Sequence, residues 1–120
     1  MLSLPLPGRI FVCTLPTDMR KSFDSLAGLV QTQLGQDPLA GDLFVFRSKR
    51  GDRLKLLYWD QDGLAIWYKR LEEGTFQFPA AADQAGVEIG ATELALILGG
   101  IDLASVRRRK RYQRPEPALT

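Results

Sequence analysis

Apolar residues recur along this chain at two spacings, and glycine, proline or acidic turn formers mark the places where the spacing changes. Ile10-Phe11-Val12-Cys13 is a short branched and aromatic run, so a strand is predicted over Arg9–Thr14. After Pro16, Thr17 and Asp18 offer a side-chain cap and a first-turn acid. From Met19 the apolar positions Phe23, Leu26, Ala27, Leu29, Val30 and Leu34 keep a helical spacing that leaves Arg20, Lys21, Asp24 and Gln31 wet. This predicts a long helix that Gly35 and Pro38 end. Three segments rich in aromatic and branched residues follow, Asp42–Arg47, Arg53–Trp59 and Leu64–Arg70. The connectors Ser48-Lys49-Arg50-Gly51-Asp52 and Asp60-Gln61-Asp62-Gly63 carry the glycines and Asx formers of hairpin turns.

A fourth strand is predicted over Thr75–Phe78, closed by Pro79, and small residues from Ala80 to Gly86 read as a linker. Val87–Ile89 reads as a brief strand. Thr92 caps a short apolar helix, Glu93–Leu98, that Gly99-Gly100 terminates. The predicted fold is α+β: a long helix packed on a small antiparallel β-meander, with a short C-terminal helix and a disordered basic tail. A chain of 120 residues supports one core, so a single domain is assigned to residues 1–104 and a flexible tail to 105–120.

Charge changes this picture locally. Residues 1–106 hold 10 basic and 13 acidic side chains, a net of −3, whereas residues 107–120 hold six basic and one acidic, a net of +5. The folded part therefore has no global pull on a polyanion, and any affinity must come from clusters. There is no histidine and only one cysteine, which excludes disulfides within the chain, His-based metal sites and His-dependent nucleophilic pairs. Cys13, inside an apolar run, reads as a small buried hydrophobe. No apolar run reaches the ~20 residues of a membrane span, and the N-terminus lacks a basic region ahead of its apolar stretch, so a cytoplasmic protein without membrane contact is expected.

The strings TDMRKSFDSLAGLVQ, DPLAGDLFVFRSKRGDRLKLLYWDQDGLAIWYKRLEEGTFQFP and ELALILGGID, spanning about Pro5 to Asp102, resemble the small accessory protein often called TnpB. It is encoded beside the transposase of a class of bacterial insertion sequences. The larger RNA-guided nuclease that shares the name is a different protein, and this chain is too short for it. The resemblance implies a part in transposition together with the element's transposase, through contact with DNA or with that enzyme. The arginine-rich end lies outside the matching region.

Arg47, Lys49, Arg50, Arg53 and Lys55 place five cations within nine residues on and beside a predicted hairpin tip. Such a ribbon can reach phosphates, and arginine can read a guanine edge; the alternative is a solvated turn that keeps a sheet edge soluble. Arg20 and Lys21, one turn into the predicted helix, are a second candidate phosphate contact beside the alternative of an ordinary capped helix. Arg107, Arg108, Arg109, Lys110 and Arg111, with Arg114, would attract DNA without regard to sequence. Lys69 and Arg70 matter only if the fold brings them beside Arg47 and Arg53.

The aromatics Phe44, Phe46, Tyr58, Trp59, Trp67 and Tyr68 invite comparison with a base-stacking sheet, but core packing accounts for most of them. Trp59 and Trp67 are the candidate partner patch. Asp60 and Asp62 lack a third convergent ligand for a metal. No catalytic residue, metal or cofactor is assigned, and no enzyme is expected. The leading reading is a transposition accessory factor that contacts DNA through the basic hairpin and tail and assists the cognate transposase. The rival is a protein-interaction subunit that binds or stabilises the transposase through Trp59, Trp67 and the apolar Leu94, Leu96, Ile97 and Leu98, without touching DNA. Oligomeric state is open.

Overall fold

The computed structural model describes residues 8–79, 83–102 and 107–108. The chain runs β1 (Ile10–Cys13), α1 (Phe23–Thr32), β2 (Leu43–Arg47), β3 (Arg53–Asp60), β4 (Gly63–Arg70), β5 (Gly86–Ile89), α2 (Ala91–Gly99), β6 (Ile101–Asp102) and β7 (Arg107–Arg108). The three expected hairpin segments form β2, β3 and β4, with an unbroken antiparallel register from Asp60↔Gly63 to Arg53↔Arg70. They are not a free-standing meander. β1 adds to β2 in parallel and β5 adds to β1 antiparallel, which gives a five-stranded mixed sheet ordered β4-β3-β2-β1-β5. The reason lies in β1 itself: all four of its side chains are buried. A strand apolar on both faces belongs inside a covered sheet.

The long helix is also corrected. α1 has ten residues and begins only at Phe23, after Ser22, whose N–H donates to the Ser25 hydroxyl (2.9 Å). Ahead of it, the N–H of Lys21 donates to the Asp18 carbonyl (3.0 Å) and that of Arg20 to Asp18 Oδ1 (2.9 Å), which closes a turn in place of a first helical turn. The carbonyls of Met19 and Lys21, which an extended helix would use internally, accept from Lys55 Nζ on the sheet instead. After the helix, the Gln36 N–H donates back to the Val30 carbonyl (3.1 Å), and Gly35 takes φ +62.

Alternation of side chains splits the core in two. On one face Phe11, Cys13, Phe44, Phe46 and Leu57 pack under Leu26 and Val30 of α1, with Phe11 and Phe44 stacked at 5.7 Å. On the other, Ile10, Val12, Val45, Leu54 and Leu56 pack under Phe76 and under Leu94 and Ile97 of α2. The second covered face exists because β1, β2 and β3 are apolar at both parities. Residues 75–78 are not a strand. They cross the second face as an irregular segment with Phe76 fully buried, and the Phe76 N–H donates to the Gly51 carbonyl (2.8 Å). α2 begins two residues earlier than the expected Glu93, with the Gly90 N–H donating to Glu93 Oε1 (3.2 Å), and Gly100 ends it at φ +79. No helix among the described residues is long and apolar enough to cross a membrane.

The disordered tail is corrected at its start, where Arg107–Arg108 pairs antiparallel with Ile101–Asp102. A two-residue ladder satisfies backbone groups that a free tail would leave to water. Arg109, Lys110, Arg111 and Arg114 lie outside the described residues.

Candidate nucleic-acid interface

The cations of the predicted hairpin separate into two kinds. Lys55 is 7% exposed. Its ammonium donates to the carbonyls of Met19 (2.8 Å) and Lys21 (2.7 Å) and sits 4.7 Å from the centroid of the Tyr68 ring. A lysine can be buried this way because charge-assisted bonds to carbonyls and a π face replace its water. It clamps the turn before α1 to β3. Arg47 is likewise committed. Its Nη1 donates to the Phe76 carbonyl (2.8 Å), its guanidinium lies 4.4 Å from the Phe78 ring centroid, and burial pulls its pKa down from the ordinary arginine value. Arg47 points to the α2 face and pins the 75–78 segment there.

The turn between β2 and β3 is not a protruding ribbon. The Ser48 N–H donates to the Arg53 carbonyl, the Leu71 N–H to the Asp52 carbonyl (2.7 Å), and the Ser48 hydroxyl accepts from the Arg53 N–H (3.1 Å). Gly51 is buried at φ +83, and a Cβ there would meet Thr75 Cβ at 3.3 Å. The segment after β4 thus buttresses the turn, leaving Lys49 and Arg50 as its exposed tip.

Arg53 differs from its neighbours. It faces the α1 side with Lys55, and directly across the ladder stands Arg70. Like charges opposed on one sheet face are unfavourable, and Arg53 makes no ion pair among the described residues. Its Nη1 lies 3.5 Å from the Tyr68 hydroxyl, and Tyr68 is 48% exposed. Arg70 pairs with Glu72 (2.9 Å), which raises the arginine pKa chiefly through that hydrogen bond. Both partners are more than half exposed, so the pair is screened by solvent.

The fold gathers the remaining cations at this same end of the sheet. Lys69 is opposite Leu54 on the other face, and Lys21 is tied to Lys55 through its carbonyl. Lys21, Lys49, Arg50, Arg53 and Lys69 make no ion pair among the described residues. Arg20 is at this end too, but chelates Asp18 (2.7 Å), and this hydrogen bonding lowers the Asp18 pKa to about 2. The other ion pair, Arg9–Glu88 (2.7 Å), joins β1 to the far edge strand β5. Asp60 and Asp62 lie at the opposite end of the β3–β4 hairpin, and no cluster of three or more potential metal ligands occurs among the described residues. Cys13 is buried, which raises its pKa.

Trp59 and Trp67 do not meet. Trp59 is opposite Leu64 on the α1 face, whereas Trp67 is opposite Leu56 and packs against the α2-side core. Leu94 and Ile97 are buried in that same core, with Leu98 packed against it. Arg70, expected to matter only if the fold set it beside Arg47 and Arg53, stands directly across from Arg53, and Tyr68, weighed only as an aromatic, reaches the Arg53 guanidinium with its hydroxyl. The signal was available in the register: a hairpin closed at Asp60–Gly63 must set Arg53 across from Arg70.

Comparison with known proteins adds the family context. The family described as IS66 Orf2 like protein matches residues 8–108. The chain is similar to the uncharacterized protein y4jC of Sinorhizobium fredii (strain NBRC 101917 / NGR234), with 43% identity over 101 residues, 84% of this chain and 86% of that one. It is also similar to the uncharacterized protein y4hO of the same organism, with 43% identity over 94 residues, 78% and 81% of the two chains. No solved structure matches.

Proposed function

Because this chain belongs to the IS66 Orf2 like family, whose role is that of an accessory in transposition, we propose that it contacts DNA through the cationic end of its sheet and assists the element's transposase. The observation that carries this reading is the Arg53–Arg70 pair. Two arginines stand opposed across the ladder, Arg70 holding the exposed Glu72 and Arg53 making no ion pair among the described residues, at the same end of the sheet as Lys21, Lys49, Arg50 and Lys69, on a domain whose charge is otherwise net acidic. A phosphate between the two guanidiniums relieves their repulsion, and released counterions supply the affinity. Arg47 and Lys55 hold the surface in shape without contacting the ligand. The basic residues from Arg107 onward add sequence-independent attraction.

The test is anisotropy of labelled DNA from the element's ends, titrated with salt. The expected log–log slope is steep, and replacing Lys49 and Arg50 with alanine flattens it by about one for each phosphate no longer neutralised. A flat titration of the unaltered protein overturns the reading. Co-purification with the transposase that survives nuclease and high salt, alongside a flat titration, would support a protein-only partner instead.

A further inference from the structure

The two edges of the sheet are built differently. β5 is a four-residue edge whose Glu88 is engaged by Arg9. β4 is eight residues long, and among the described residues no strand pairs with its outer side. Its register with β3 is unbroken, so no bulge turns it away, and it contains no proline. Its middle, Leu64-Ala65-Ile66-Trp67, is apolar and only half-buried. Long apolar edges of this kind invite another strand unless they are guarded.

We propose that this edge is the seam of a two-fold dimer, in which β4 of a second copy of the chain pairs antiparallel with β4 to make one ten-stranded sheet. The backbone fixes which residues face outward. The Leu71 N–H donates to the Asp52 carbonyl, one step beyond Arg53↔Arg70 in the same register. Hydrogen-bonded pairs alternate along an antiparallel ladder, so Gly63, Ala65, Trp67 and Lys69 bond to β3. Leu64, Ile66, Tyr68 and Arg70 therefore turn their N–H and C=O groups to the free edge.

A two-fold seam must pair these outward residues with one another. Centred on Ile66, it sets Ile66 against its copy, Leu64 against Tyr68, and the exposed Asp62 against Arg70 at both ends. On the other face it sets Ala65 against Trp67 and Gly63 against Lys69, small against large each time. Moving the centre to Trp67 brings Asp62 against Glu72, a like-charge pair, and Ala65 against Lys69. Charge complementarity selects the first register. Asp62 makes no ion pair among the described residues, and Arg70, which binds Glu72 through Nε and Nη2, keeps its remaining guanidinium donors for this contact.

Sedimentation velocity on the full chain tests the seam. The unaltered protein is expected to dimerise with concentration. Asp62→Arg, a surface change in a turn, weakens dimerisation roughly tenfold because it acts at two symmetry-related contacts, and adding Arg70→Asp restores it. A second measurement reads the register directly. Facing Cα atoms in a hydrogen-bonded pair are ~5.5 Å apart, within disulfide reach, so Ile66→Cys should cross-link to itself on mild oxidation while Trp67→Cys should not. A chain monomeric at every concentration, a dimer indifferent to Asp62→Arg, or self-cross-linking by Trp67→Cys alone overturns the proposal.

Discussion

Arg53 and Lys55 are two residues apart on one strand and share one face of the sheet, yet they serve opposite ends. Lys55 has two carbonyl partners and an aromatic ring, and is removed from water. Arg53 has another arginine across the ladder and stays half-open to solvent. What separates them is the neighbouring element: the turn before α1 lends its carbonyls to the first and stops short of the second. Charge density along a sequence does not distinguish a cation that builds a surface from one that the surface presents.

Substitutions can break this contrast, and the largest effect is expected at Lys55. Lys55→Met keeps the apolar stem but leaves the Met19 and Lys21 carbonyls unpaired, at a cost of ~2–4 kcal/mol read as a lower urea midpoint. Arg47→Ala frees the 75–78 segment by removing a hydrogen bond and a cation–π contact, at ~1–2 kcal/mol by the same measurement. Arg53→Ala with Arg70→Ala reverses the pattern. The urea midpoint holds or rises slightly as like-charge repulsion goes, while the salt slope of DNA binding falls.

The smallest effect is electrostatic and pH-dependent. The Asp18 pKa in the folded chain is about 2, below its ordinary 3.8, so its pairing with Arg20 contributes above pH ~4 and is lost as pH falls toward 2. Both side chains are substantially exposed, so solvent screens the contribution. Asp18→Asn should lower the urea midpoint slightly at neutral pH, where the pairing is intact, and the two proteins should converge as pH falls toward 2.

Local pattern revealed the strands β2, β3 and β4 nearly residue by residue, because their alternation and the glycines Gly51 and Gly63 are encoded nearby in sequence. The place of β1 was not legible, since parallel pairing with β2 across α1 is a long-range event and a fully apolar run reads alike as edge or centre. The helix start was misplaced because Lys55, 34 residues away from Lys21, takes a carbonyl that the helical spacing assigned to α1. Burial of Lys55 did leave a trace: it shares parity with Leu57, on a face that proved to be core. The cationic end was legible as residue types. Its division into scaffold and surface depended on the buttress from residues 71–76, which no periodicity announces.

The most direct test sets two alanine variants side by side in a salt titration of DNA binding: Arg53→Ala with Arg70→Ala, and Arg47→Ala under conditions where it remains folded. The first is expected to lower the log–log slope by about two while the second leaves it unchanged. Equal slopes for both variants, or a reduced slope for Arg47→Ala alone, would contradict the division of these cations into scaffold and surface.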